Sequence, residues 1–139
     1  MIEQYKHILW DWNGTLLDDS WLCVEVLNGL LAERGESPIS LETYRTHFNF
    51  PVIHFYRFLG FETDPASFEA VSHKFIAGYE SRWLEECHLH PGVHQIFQDS
   101  RAHGISHSIF IWSGSFLSIS ISKYALNFSD GSTAGGGVG

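Results

Sequence analysis

The sequence predicts an α/β fold in which a long helical segment interrupts a parallel sheet. Three observations support this prediction. Ile8-Leu9-Trp10 is a continuous apolar run, typical of a strand that is covered on both faces. Residues from about 18 to 86 carry only helical patterns, and strand-type sequence returns near Gly104. At 139 residues the chain has room for about one domain.

The predicted elements follow in order from the N-terminus. The first strand covers Tyr5–Trp10, and Asp19 or Ser20 then caps a helix. That helix runs through Leu31 with apolar residues every three or four positions, and Gly35 ends it. The later elements are bounded by Ser, Asp, Gly and Pro signals, and they are helices over Leu41–Phe48, Val52–Leu59, Asp64 to about Trp83 and Pro91–Ala102, and a second strand over Ile105–Trp112.

The segment after the first strand combines an acid, a glycine and a hydroxyl within five residues. The strand delivers the carboxylate of Asp11 to its C-terminal end, where open α/β sheets carry their reactive groups. Gly14 has no Cβ, so the backbone can turn sharply and let an anion approach. Thr15 adds a hydroxyl and a backbone N–H beside it. This pattern predicts an anion-handling site at Asp11.

The same residues allow a second interpretation. Asn13-Gly14 between apolar residues is a strong signal for a two-residue hairpin, in which 8–12 would pair with 15–17. The apolar run before Asp11 does not alternate as a hairpin strand should. Asp18-Asp19-Ser20 offers helix caps rather than a returning strand. We therefore favour the strand–loop–helix interpretation.

The stretch Asp11-Trp12-Asn13-Gly14-Thr15 resembles the first motif, D-x-D-G-T, of the haloacid dehalogenase (HAD) superfamily of phosphohydrolases. The resemblance implies that Asp11 is a nucleophile that forms an aspartyl-phosphate. The second Asp of the motif acts as general acid and base, and here that position is Asn13. An amide cannot exchange a proton in this way at neutral pH. The resemblance further implies Mg²⁺ at the Asp11 carboxylate and the Asn13 backbone carbonyl.

The resemblance also implies a domain layout, closest to phosphoglycolate-phosphatase-like members. Residues 1–17 and 87–127 would form a partial Rossmann-like core, 18–86 an inserted helical cap, and 128–139 a flexible tail. Gly14 and Thr15 backbone groups would help to hold the phosphoryl oxygens. In these relatives a cap loop of the form G-x-P helps to select the substrate, and the matching residues are Asn49, Phe50 and Pro51. A simple helix–helix corner is the alternative interpretation of this loop.

The sequence departs from the family pattern after about residue 110. The family places Ser or Thr at the end of the second strand to hold the phosphoryl oxygens, and Ser113 is the candidate, two positions late. The third and fourth motifs, a basic residue and an acidic pair, cannot be assigned, because Lys123 and Asp130 are the only charged residues after Ser113. We expect an altered or truncated core whose apolar surface is exposed, marginal stability or self-association, and weak metal affinity.

Composition limits the partners. A net charge of −8 argues against nucleic acid or an anionic membrane, because both require a basic surface. Residues 104–122 carry no formal charge, but their serines make a membrane span a poor interpretation. Cys23 and Cys87 lack a pairing pattern and no signal peptide precedes the first strand, so we expect a cytoplasmic protein. Cys87, His88, His90 and His94 do not match a known zinc spacing.

Two functions follow as expectations. The first is Mg²⁺-dependent hydrolysis of a small phosphorylated metabolite, of the phosphoglycolate-phosphatase kind. The second is an inactive HAD-like remnant that binds a phosphorylated ligand or a protein partner without turnover, which the Asn13 substitution and the unassigned motifs favour. A helical interaction module with an incidental Asn-Gly turn is a third possibility.

Overall fold

The structure, a computed structural model, describes residues 4–110 of the chain. It divides into two compact units: a helical unit, Asp19–Cys87, and a sheet unit formed by the described residues on either side of it. In chain order the elements are β1 His7–Asp11, β2 Leu17–Asp18, α1 Ser20–Glu33, α2 Leu41–His47, α3 Val52–Phe58, α4 Pro65–Glu80, α5 Trp83–Glu86, β3 His88–Leu89, α6 Val93–Ala102 and β4 Ser106–Phe110.

The sheet unit contains two small sheets among the described residues. β1 and β4 pair in parallel, from His7 opposite Ser106 to Asp11 opposite Phe110. β2 and β3 pair antiparallel, with Leu17 opposite Leu89. The hairpin interpretation of Asn13-Gly14 is therefore wrong: β1 pairs with a strand almost a hundred residues away, and the bridge between Asn13 and Leu17 is parallel.

Helix α6 covers one face of the β1–β4 pair. Its buried residues Val93, Phe97 and Ser100 recur at the spacing of one helical face. The Phe97 ring stacks on Trp10 of β1, with 5.5 Å between ring centroids. Leu9, on the opposite face of β1, is 67% exposed. The expectation that β1 is covered on both faces is thus wrong for the described residues, whereas the expectation of exposed apolar surface on β1 is confirmed.

The helical unit is built around one apolar cluster. Leu27, Leu30 and Leu31 of α1 pack with Phe55 and Tyr56 of α3, and Phe61 completes the buried set. Helix α4 lies against α1, where Val26 approaches Gly78 closely enough that a Cβ on Gly78 would lie 3.0 Å from a Val26 methyl group. These contacts explain why the apolar stripe of α1 is buried.

Side-chain caps begin α2 and α4 as the sequence predicts, whereas Asp19 precedes α1 without a capping hydrogen bond from its side chain. The Ser40 hydroxyl accepts a hydrogen bond from the Thr43 N–H at the start of α2. Asp64 does the same for Ser67, with Pro65 at the first position of α4. The predicted long helix is interrupted, however: α4 ends at Glu80 and α5 begins at Trp83. Arg82, between them, pairs with both Glu25 and Glu86.

Polar contacts inside the helical unit involve one buried acid. Asp19 is 2% exposed and accepts a hydrogen bond of 2.5 Å from the Tyr79 hydroxyl. Both cysteines are buried and outside any disulfide, as expected of small core residues. Burial, with the nearby Asp19 charge, raises the pKa of Cys23 to about 12. The Cys23 thiol is therefore protonated and unreactive near neutral pH.

Candidate active site

Asp11 occupies the last position of β1. It lies opposite Phe110, the last residue of β4, so the carboxyl ends of the two parallel strands meet at this edge. The side chain is exposed, and its Oδ2 atom accepts a hydrogen bond of 2.8 Å from the Thr15 hydroxyl. Thr15 thus holds one carboxylate oxygen, and the other oxygen can contact a ligand.

The loop after Asp11 is shaped by one carbonyl. The Trp12 carbonyl accepts hydrogen bonds from the N–H groups of Thr15, Leu16 and Leu17, at 3.2, 3.1 and 3.0 Å. Gly14 takes φ = 75°, a conformation that side-chain-bearing residues rarely adopt, and its N–H donates to the Leu17 carbonyl. The tight turn brings the hydroxyl of Thr15 back to Asp11.

Apolar side chains anchor this loop to the sheet unit. Trp12, Leu16 and Leu17 are each 2% exposed or less. The Leu16 carbonyl also accepts from the His90 N–H, just after β3, so the loop is tied to the chain where it returns from the helical unit. The sequence analysis missed the β2–β3 pair. Strands of two residues carry too few positions to show a periodic pattern.

The structure brings together four of the predicted site residues, Asp11, Asn13, Gly14 and Thr15, on one loop. The N–H groups of Gly14 and Thr15 donate to carbonyls of the loop itself, at 3.0 and 3.2 Å. In this conformation they are therefore engaged in shaping the turn rather than directed to a phosphoryl group. Ser113, Lys123 and Asp130 lie outside the described residues, as do the predicted tail and most of 104–122.

The predicted specificity residues lie in the helical unit, between α2 and α3. The Phe50–Pro51 peptide bond is cis, and the Asn49 side chain accepts a hydrogen bond of 2.8 Å from the Phe50 N–H. Phe50 is 60% exposed, and its ring contacts Phe48 edge-on. The loop thus presents an aromatic side chain to solvent.

The donor set at Asp11 is compatible with Mg²⁺, which prefers oxygen ligands and keeps several waters. One carboxylate and the Asn13 carbonyl would supply two such ligands. Within residues 4–110 no three His, Cys, Asp or Glu side chains lie close enough together to hold a metal. This finding covers Cys87, His88, His90 and His94 as well. None of the helices in that range is long and apolar enough to cross a membrane.

Residues 8–113 match the family described as haloacid dehalogenase-like hydrolase. The chain belongs to the haloacid dehalogenase-like hydrolases. The matched range includes the Asp11 loop, the whole helical unit and the return to β4. No curated protein matches the chain. The HAD-type core with an inserted helical cap, expected from the Asp11 motif and the helical segment, is thereby confirmed.

Several solved structures share this fold. A structure described as a putative haloacid dehalogenase-like hydrolase from Bacteroides fragilis superposes with a TM-score of 0.73 at 18% identity, over 88% of this chain and 59% of that one. A predicted phosphoglycolate phosphatase from Haemophilus somnus gives 0.63 at 17%, over 81% and 53%. A predicted phosphatase from Clostridium acetobutylicum gives 0.68 at 15%, over 88% and 56%. The chain therefore spans between half and three fifths of each of these HAD-like proteins.

Proposed function

We propose that this HAD-like chain hydrolyses phosphate monoesters through an aspartyl-phosphate intermediate at Asp11. The observation that carries the proposal is the geometry of the Asp11 carboxylate. It is exposed at the carboxyl end of a parallel strand pair, and the Thr15 hydroxyl fixes one of its oxygens at 2.8 Å. A carboxylate held in this way can act as a nucleophile.

The chemistry at Asp11 has two steps. The carboxylate oxygen that Thr15 does not hold attacks phosphorus, a P–O bond forms, and the bond from phosphorus to the ester oxygen breaks. The departing alkoxide takes its proton from a solvent water, and the hydroxide left behind is neutralised when the second step releases a proton. Water then attacks the acyl phosphate, which releases inorganic phosphate and regenerates the Asp11 carboxylate. The Asn13 amide can orient the leaving group or a water by hydrogen bonding, but it cannot supply the proton.

Mg²⁺ is the cofactor that this site suits. Asp11 and the Asn13 backbone carbonyl would hold it, and when bound it offsets the charge repulsion between the carboxylate and the phosphate. With so few protein ligands the affinity should be weak. The substrate would be a small phosphorylated metabolite, in line with the phosphoglycolate phosphatase among the similar structures. Asn49, Phe50 and Pro51 would contribute to its selection, and Ser113 to phosphate binding.

The second candidate function is binding without turnover. The observation that favours it is Asn13, which replaces the proton-transferring group of the motif. On this account the Asp11 loop binds a phosphorylated ligand or contributes to a protein interface. The two buried cysteines form no disulfide, which agrees with a reducing compartment, so we place either activity in the cytoplasm.

The experiment compares three proteins in the release of p-nitrophenol from p-nitrophenyl phosphate, with Mg²⁺ and with EDTA. The unmodified chain should turn over only with Mg²⁺, and Asp11→Asn should not turn over. Asp99→Asn is the matched control, because Asp99 is an exposed carboxylate of the same unit. Equal rates for the unmodified chain and Asp11→Asn would remove Asp11 from the mechanism. No turnover, together with saturable binding of inorganic phosphate, would establish the binding function instead.

A further inference from the structure

A hydrogen-bonded chain inside the sheet unit fixes the protonation of His107. The indole Nε1 of Trp10 lies 2.9 Å from the His107 Nδ1 atom. Indole nitrogen can only donate, so Nδ1 must accept and carries no proton. On the other side of the ring, Nε2 lies 2.9 Å from the Ser100 hydroxyl oxygen. The neutral ring therefore carries its proton on Nε2.

Ser100 extends this hydrogen-bonded chain with the same donor-to-acceptor direction. Its hydroxyl donates to the Ile96 carbonyl, one turn earlier in α6. The Ser100 oxygen is consequently free to accept from His107 Nε2. From Trp10 through His107 and Ser100 to the Ile96 carbonyl, each group thus donates a hydrogen bond to the next. The chain joins β1, β4 and α6, the three elements of the sheet unit that pack around Phe97.

The surroundings of His107 disfavour a charged imidazole. His107 is 7% exposed and Ser100 is 1% exposed. The Phe97 ring covers the imidazole, with 4.5 Å between centroids. Among the described residues, the groups whose charge acts on His107 are Arg101 on α6 and His7 on β1, and both disfavour a positive ring. Burial first, then these two groups, lower the pKa of His107 below its ordinary value of 6.5.

Protonation of His107 would break the hydrogen-bonded chain at the contact between Trp10 and His107. A second proton on the ring must occupy Nδ1, where it would face the Trp10 N–H, and two donors cannot share a hydrogen bond. Trp10 would lose its acceptor inside the unit. Trp10 directly precedes Asp11 in β1, so the lost hydrogen bond would weaken the packing of the strand that carries Asp11.

We propose that His107 is a proton-sensitive clamp that holds β1 to β4 and α6 only while its ring is neutral. The proposal does not depend on catalysis. The folded chain keeps the ring neutral while the unfolded chain protonates it at about pH 6.5, so stability falls as the pH drops below 6.5 toward the lowered pKa. Below that value the ring is protonated in both states, and this contribution to the pH dependence ends.

The test uses ring-nitrogen NMR on the full chain with ¹⁵N-labelled histidine and tryptophan. At pH 7.5 the His107 signals should show the Nε2–H tautomer. The ring should titrate with a midpoint below 6.5, and the Trp10 indole N–H should shift and exchange faster with the same midpoint. His107→Phe assigns the signals by their loss, and His107→Gln does so if the first variant does not fold. His94→Gln, at an exposed histidine of α6, is the control and should leave the tautomer unchanged.

Three NMR results would overturn the clamp. One is a proton on Nδ1 at pH 7.5, the second is a titration midpoint at or above 6.5, and the third is a Trp10 indole signal that does not respond to the titration. In urea unfolding, the denaturation midpoint should fall between pH 7.5 and 5 in the unmodified chain. It should fall less in His107→Phe than in His94→Gln, and an equal fall in both variants would also contradict the proposal.

Discussion

At the scale of single residues, the proposed mechanism gives Thr15 and Asn13 different roles beside Asp11. Thr15 acts through Asp11 and is a positioning residue, because its hydroxyl holds Oδ2 at 2.8 Å. On the proposed mechanism, Asn13 takes the place of the residue that would deliver a proton. We therefore expect changes at the two residues to affect different properties of the proposed reaction, the orientation of the nucleophile and the protonation of the leaving group.

Replacing Asn13 by aspartate should restore proton transfer. We expect Asn13→Asp to raise turnover of an alkyl phosphate such as phosphoglycolate by roughly 10²-fold, the lower end of general acid–base catalysis. The gain with p-nitrophenyl phosphate should be much smaller, because p-nitrophenolate leaves without a proton. Phosphate release with both substrates checks this. An equal gain with both would show that Asn13 does not occupy the position of the general acid.

Removing the Thr15 hydroxyl should leave the orientation of the Asp11 carboxylate less fixed. Thr15→Val should lower kcat about fivefold with little change in KM, the equivalent of about 1 kcal/mol for one exposed hydrogen bond. Thr15→Ser keeps the hydroxyl and should retain most of the activity. Steady-state kinetics of both variants with p-nitrophenyl phosphate make the comparison. A loss of the same size in Thr15→Ser would point to the lost methyl group instead of the hydrogen bond.

At the scale of elements, the helical unit is held by the packing of α1 against α4. Two helical glycines report on this packing differently. Gly29 lies on the exposed side of α1 with nothing within 4 Å of an added Cβ. Gly78 of α4 faces Val26, where an added Cβ would lie 3.0 Å from a methyl group. The same substitution should therefore have different effects at the two positions.

Gly29→Ala should stabilise the chain by about 0.5–1 kcal/mol, because alanine loses less backbone entropy than glycine in a helix. Gly78→Ala has the same propensity gain, but the contact with Val26 should cancel it or reverse it. Urea unfolding followed by far-UV circular dichroism measures both. If the two variants gained equally, α1 and α4 would not be packed as closely as the structure shows.

At the scale of the whole molecule, the sheet unit exposes apolar side chains. Leu9 of β1, Ile96 of α6 and Phe110 of β4 are 67, 44 and 48% exposed. Among residues 4–110 the β1–β4 sheet has two strands and therefore open edges, and exposed apolar strands of this kind promote association. We therefore propose that the chain associates with itself through the β1–β4 face.

Adding a charge at this face should oppose association. Leu9→Glu should shift the sedimentation coefficient toward that of the monomer and weaken its dependence on protein concentration. Ile76→Glu is the matched control, since Ile76 is 47% exposed but lies on α4 of the helical unit. Sedimentation velocity at several concentrations distinguishes them. A concentration-independent monomer for the unmodified chain would contradict self-association.

The sequence by itself determined the Asp11 loop and most of the helix boundaries. The apolar run before Asp11, the glycine after it and the caps at Ser40 and Asp64 are local signals. Each depends on backbone preferences within a few residues, so each can be identified without knowing what packs nearby. The family followed from the same local segment, and the match over residues 8–113 confirmed it.

Only the tertiary structure decided which distant groups meet. The parallel register of β1 with β4, the β2–β3 pair and the break between α4 and α5 have no clear local signal. The hydrogen bond between Trp10 and His107 joins residues that are 97 positions apart. Contacts of this kind depend on strand register and on helix packing, and a shift of one residue would turn His107 to the opposite face. Local preferences cannot specify them, because the partner surface exists only once the chain has folded.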